Sequence, residues 1–203
     1  TALSDGGWVV TWMSDGQDGS GSGVYGQRYD ADGIAVDGEF QINTYTTSHQ
    51  QYPSVTALSD GGWVVTWMSD GQDGSGSGIF GQRYDADGNA IGSEFQVNSY
   101  TSGDQFHPRV SALSDGGWMV TWASIGQDGS DFGVYGQRYD ADGNPGYILV
   151  QPGPVATPSD FAENKTLFAD ASLISDEDGL GEISYKWQRS NDGGQTWDDI
   201  IGA

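Results

Sequence analysis

The stretch TALSDGGWVVTW runs from Thr1 to Trp12, recurs from Thr56 to Trp67, and returns as SALSDGGWMVTW from Ser111 to Trp122, a spacing of 55 residues each time. A fixed period of this length marks a chain built from structural repeats. Residues 1–33 and 56–88 differ only at Val24/Ile79 and Tyr25/Phe80.

Around this stretch the sequence reads as strands joined by tight turns. In the second copy, runs rich in aromatic and β-branched residues predict strands over Pro53–Leu58, Trp63–Ser69, Gly78–Tyr84 and Glu94–Tyr100. Between them lie Ser-Asp-Gly-Gly, Asp-Gly-Gln-Asp-Gly-Ser and Asp-Ala-Asp-Gly, whose residues favour turn geometry. Alternation puts Trp8, Val10 and Trp12 on one face and Val9 and Thr11 on the other. Both faces are partly apolar, so the sheets are expected to stack. The predicted fold class is all-β, with four-stranded antiparallel repeats forming part of a β-propeller-like array. Closing such an array takes about four to eight blades, so further repeats are expected upstream.

The third copy departs after Gly143. Asn144-Pro-Gly-Tyr-Ile-Leu-Val replaces the Glu-Phe-Gln-Val-Asn strand, and prolines cluster from Pro152 to Pro158. We expect three repeats over residues 1–152, a Pro-rich linker over 153–162 and a different domain over 163–203.

Seven Lys and Arg against 29 Asp and Glu give a formal charge of −22. This excludes nucleic acid and anionic membrane surfaces as partners and favours cations. The chain has no Cys, which rules out disulfides, thiolate metal sites and thiol nucleophiles. It also has no apolar run that could span a bilayer and no signal-peptide pattern, so any export signal is expected outside this chain.

The string from Trp8 to Gly33, WVVTWMSDGQDGSGSGVYGQRYDADG, resembles the repeats of very large bacterial surface and RTX-type secreted proteins. Residues Phe168–Gly181 and Ile183–Ala203 resemble the Ig-like repeats of bacterial adhesins, of which this chain carries about half, an incomplete Ig-like β-sandwich. The resemblance implies an extracellular or cell-surface protein exported by a type I pathway. It further implies stabilisation by calcium and a role in adhesion or biofilm. Neighbouring repeats, and cell-surface glycans or proteins, are the partners that fit.

Several motifs invite chemistry. Asp30 and Asp32, Asp85 and Asp87 with Asn89, and Asp140 and Asp142 with Asn144 place oxygens at a spacing used by Ca²⁺ loops. The competing reading is a hairpin turn closed by Gly33, Gly88 or Gly143, and it is preferred because the full ligand pattern is missing. Gln27-Arg28, Gln82-Arg83 and Gln137-Arg138 are the candidate glycan-binding pairs of a lectin-like propeller. Ser190, Asp192, Gly194, Thr196 and Trp197 match a structural Asp-box. His49 and His107 do not align, and no catalytic motif is found. The sequence reading is therefore a structural or adhesive module that is not an enzyme. A glycan-binding propeller is the alternative, and a glycosidase ranks last.

Overall fold

The computed structural model describes residues 1–146, together with the pairing of residues 188–189 with 198–199. The chain divides into two units after Leu149. The first unit is all-β. Its first sheet holds β1 (Trp8–Asp15), β2 (Ser22–Tyr29) and β3 (Ala35–Gln41). The second holds β4 (Gln50–Ala57), β5 (Trp63–Asp70), β6 (Ser77–Tyr84) and β7 (Ala90–Gln96). The third holds β8 (Gln105–Ala112), β9 (Trp118–Ile125), β10 (Phe132–Tyr139) and β11 (Pro145–Gly146). Each sheet is an antiparallel meander in chain order, the make-up of a propeller blade. Of the second unit, only β12 (Gln188–Arg189) and β13 (Asp198–Asp199) are described, paired antiparallel. The expected linker and Ig-like half lie outside the described residues.

The sheets stack because their central strands are apolar on both sides. Trp63, Val65 and Trp67 are fully buried and, with Phe80 and Tyr84, pack in one cluster with Val9 and Val24 of the first sheet and with Leu3 and Ile42 beside it. From the opposite face of the second sheet, Val64, Met68 and Ile79 meet Trp118, Val120, Trp122 and Tyr139 of the third. Burying each such side chain is worth about 1.5 to 3 kcal/mol, so the two junctions hold the unit together. Within each sheet a Trp and a Tyr opposite one another are stacked: Trp8 on Tyr29, Trp63 on Tyr84 and Trp118 on Tyr139, at 5.5, 5.4 and 5.2 Å between centroids.

Two strands depart from the sequence reading. The first begins at Gln50 rather than Pro53. A bulge between Gln51 and Ser54 carries the pairing past Pro53, which has no N–H to offer a ladder. Tyr52 sits in this bulge at φ 56°, as does His107 in the equivalent bulge of β8. The fourth strand runs from Ala90 to Gln96 rather than from Glu94 to Tyr100. It starts early because the Asp85–Asn89 turn closes at once and pairs Tyr84 with Ala90. It stops early because Asn98 leaves the ladder and uses its side chain instead. Its Oδ1 accepts from Ile79 N–H at 2.6 Å, and its Nδ2 donates to Tyr100 O and to Gln105 Oε1. Asn43 does the same for Val24, Tyr45 and Gln50 in the first repeat.

The turns before the long central strands admit only glycine at one place. A Cβ on Gly62 would run into the carbonyl oxygen of Tyr84, and Gly7 and Gly117 face the same obstacle at Tyr29 and Tyr139.

Candidate functional site

At each junction between sheets, residues of neighbouring repeats line a small cleft. Between the first and second sheets these are Arg28, Val36, Asp37, Gly38 and Phe40 on one side, and Trp63, Asp87 and Gly88 on the other. Between the second and third they are Arg83, Ile91, Gly92 and Phe95, against Trp118, Asp142 and Gly143. Arg, Phe, Trp, Asp and Gly occupy the same repeat positions in both.

The Arg guanidinium lies over the indole of the next sheet, at 5.9 Å for Arg28 on Trp63 and 5.3 Å for Arg83 on Trp118, a cation–π arrangement. Each guanidinium is also tied to its own repeat, Arg28 to Asp5 at 2.7 Å and Arg83 to Asp60 at 2.6 Å. Arg138 pairs with Asp115 in the same way. The N–H of Gly7 and then the Arg28 guanidinium hold the Asp5 carboxyl below its usual range. For Asp115 the N–H of Gly117 leads and Arg138 adds to it. Arg28 Nε, Arg83 Nε and the indole nitrogens of Trp63 and Trp118 are buried without a hydrogen-bond partner.

The clefts differ in size. The first is about 50 Å³ and the second about 190 Å³. Asp37 in the first repeat is replaced by Gly92 in the second, both in the left-handed region at φ 59° and 68°. The second cleft has no side chain at this point.

The Gln–Arg pairs of the sequence reading are split. Strand alternation sends Gln and Arg to opposite faces, and only Arg28 and Arg83 reach a cleft. A register shift between Gly26 and Arg28 leaves carbonyls without ladder partners, and Gln27 Nε2 bonds Arg28 O and Val36 O. Gln82 bonds Arg83 O and Ile91 O, while Gln137 bonds Arg138 O and Gly146 O. The candidate glycan-binding amides are thus bonded to backbone carbonyls of their own sheets. Arg138 stands on the third sheet and lies over no aromatic ring among the described residues.

The acidic turns are closed hairpins. Asp30 Oδ1 accepts from the N–H groups of Asp32 and Ile34. Asp85 and Asp140 do likewise and also take the side-chain amide of Asn89 or Asn144. Asp87 and Asp142 line the clefts instead of joining these carboxylates. Ca²⁺ takes about six to eight oxygens, and no group of three metal-binding side chains converges among the described residues. The residues present at these turns do not fit a calcium site.

The Asn amide, first, and the turn N–H groups hold Asp85 and Asp140 below the usual carboxyl range. Their stabilising contribution is present above the ordinary value of 3.8 and is lost as pH falls through the lowered folded value. Asn89→Ile, which copies Ile34 of the first repeat, is expected to raise the Asp85 carboxyl toward its usual value while leaving Asp140 unmoved. Carbon-detected NMR titration of the side-chain carboxyls reads this directly, and an unmoved Asp85 would refute it.

One cluster escapes sequence reasoning. Ser22 Oγ bonds Asp15, and the Ser22 N–H donates to His49 Nδ1 at 3.2 Å. Asp70, Ser77 and Asp104 repeat the arrangement in the next blade. Ser22 is buried, so the group fastens the ends of the strands. The constant separation of 23 residues between Asp5 and Arg28, Asp60 and Arg83, and Asp115 and Arg138 is a signal that could have revealed the ion pairs. The Asp-box residues Ser190, Asp192, Gly194, Thr196 and Trp197 lie outside the described residues, although the strands on either side of them are paired.

No family model and no curated protein matches the chain. Among solved structures, it is similar to an endo-arabinase from Bacteroides thetaiotaomicron at 16% identity, over 70% of this chain and 52% of that one, with a TM-score of 0.41. It is also similar to an alpha-L-arabinofuranosidase from Lactobacillus brevis at 12% identity, over 68% of this chain and 50% of that one, with a TM-score of 0.40. The chain thus spans about half the length of either structure. The expectation that the chain is not an enzyme is corrected here, because both structures are enzymes by name. At this level of similarity neither lends the chain its activity.

Proposed function

We propose that the first unit is a carbohydrate-binding, propeller-like module that holds a neutral sugar in the cleft between the second and third sheets. The observation that carries this reading is the cleft itself, rebuilt at two successive junctions from a Phe, a guanidinium, a carboxylate and a Trp. Sugars present apolar C–H faces and many hydroxyls, and aromatic rings beside a few convergent polar groups suit both. The buried Arg83 Nε and Trp118 Nε1, without protein partners, are donors that a hydroxyl would satisfy. Acidic glycans are disfavoured by the net charge of −22. Binding of this kind suits an extracellular, adhesive protein with neighbouring repeats, a setting with which a Cys-free, acidic chain is compatible.

The test compares the chain with a Gly92→Asp variant on an array of neutral glycans, followed by titration calorimetry of any hit. A Cβ at Gly92 meets nothing within 4 Å, and Asp37 shows that an Asp holds this backbone angle. The variant should therefore keep its fold while its side chain closes the cleft. The expected result is at least about a tenfold loss of affinity, equivalent to about 1.4 kcal/mol, with little change in melting temperature. Absence of any neutral-glycan binding by the unmodified chain would overturn the proposal. Undiminished binding by the variant would overturn the location of the site.

A further inference from the structure

The two clefts form an internal comparison, because their repeats begin as almost the same sequence. Residues 1–33 and 56–88 differ at two positions, and the copies then diverge at once. Ile34-Ala-Val-Asp-Gly38 stands against Asn89-Ala-Ile-Gly-Ser93, with only the Ala kept. This short stretch leads into β3 and β7, and it supplies every lining position at which the two clefts differ.

Three observations assign the difference in volume to Asp37. The Arg–Trp separation is longer at the narrower cleft, 5.9 Å against 5.3 Å, so closer approach of the sheets is not what narrows it. The exchange of Val36 for Ile91 adds carbon to the wider cleft and therefore acts in the opposite sense. What remains is Asp37, where the second repeat has Gly92 and open space around the place of a Cβ. Asp37 holds a φ of 59°, a left-handed conformation that Asp tolerates and Gly adopts freely. Gly is the easier residue at this point of the backbone, and the first repeat carries a carboxylate there instead.

We infer that Asp37 is a specificity residue that closes a second, latent sugar site in the first cleft. The inference rests on the carbohydrate reading of the second cleft. The donors are in place at both junctions, since Arg28 Nε and Trp63 Nε1 are buried without protein partners, as are Arg83 Nε and Trp118 Nε1. At about 50 Å³ the first cleft has room for water and not for a sugar ring. Its two carboxylates, Asp37 and Asp87, share it with a guanidinium already paired with Asp5. Removing the Asp37 side chain gives the first cleft the composition of the second. One repeat position then sets how many sugars the chain holds, open with Gly and closed with Asp.

The Nε–H resonances of Arg28 and Arg83 in the full, ¹⁵N-labelled chain report the two clefts separately. The probes are the methyl glycosides of glucose, galactose, xylose and arabinose, each taken to about 50 mM, a range suited to millimolar affinity. In the unmodified chain the Arg83 signal should move and the Arg28 signal should not. In Asp37→Gly both should move, with affinities within about tenfold of one another. In the double variant Asp37→Gly, Gly92→Asp, only Arg28 should respond, the site having been transferred from one junction to the other. A melting temperature close to that of the unmodified chain confirms that each variant is folded. An Arg28 signal that stays still in Asp37→Gly, while Arg83 responds, overturns the inference and leaves the second cleft as a sugar site. An Arg28 signal that moves in the unmodified chain overturns it without reference to any variant, because Asp37 would then close nothing. Silence of both signals in every form overturns the carbohydrate reading, and this inference with it.

Discussion

Replacing Trp67 by alanine is expected to destabilise the first unit by about 3 to 5 kcal/mol, the usual cost of emptying a buried aromatic site. Trp67 is fully buried against the first sheet, within the cluster of Trp63, Val65 and Phe80. Its replacement removes apolar contact and leaves a cavity that two sheets, each fixed by its own ladder, cannot close. Trp12 occupies the same repeat position on the first sheet and is half-buried. Trp12→Ala should therefore cost clearly less. Urea denaturation followed by far-ultraviolet circular dichroism measures both. Equal losses would mean that stacking between sheets is not what sets the stability.

Asn98→Ala is the second large effect, at about 2 to 6 kcal/mol, because two buried polar groups each lose a partner at about 1 to 3 kcal/mol. Asn98 is 3% exposed and Gln105 fully buried. Without the side-chain amide, the Ile79 N–H and Gln105 Oε1 face an apolar interior with nothing to bond. The Ile79 amide should also become one of the faster-exchanging protons of β6 in hydrogen-exchange measurements. Retained protection at Ile79, together with an unchanged denaturation midpoint, would show that another group takes over.

Those two residues also mark how far the sequence could be read. The period, the all-β class and the edges of β5 and β6 are visible in strings such as TALSDGGWVVTW, because alternation and turn chemistry act over a few residues. The place of β7 is not visible. Phe95, Val97 and Tyr100 have the composition of a strand, but the pairing is decided by how soon the Asp85–Asn89 turn closes and by the side chain of Asn98, which ends the ladder. The candidate site was harder still. Arg83 and Trp118 stand 35 positions apart in different repeats, and only the stacking of sheets brings them together. The neighbouring pair Gln82-Arg83 looked like a unit in sequence and is not one, since adjacent strand residues point to opposite faces. Asp87 and Asp142 share a motif with Asp85 and Asp140 in the sequence, yet the fold separates the two pairs. The former face the cleft, while Asp85 and Asp140 serve their own turns.

Because the second sheet carries one half of a junction on each side, it is already compatible with a copy of itself. A tandem duplication of the 55 residues from Thr56 to Val110 would insert a blade whose two faces fit their new neighbours without any compensating change. Arrays of this kind gain stability with each added unit, and their folding spreads from neighbour to neighbour. Lengthening the gene by whole periods is then an easy evolutionary step, because each added blade brings both halves of a junction with it. The near-identity of residues 1–33 and 56–88 is what such growth leaves behind.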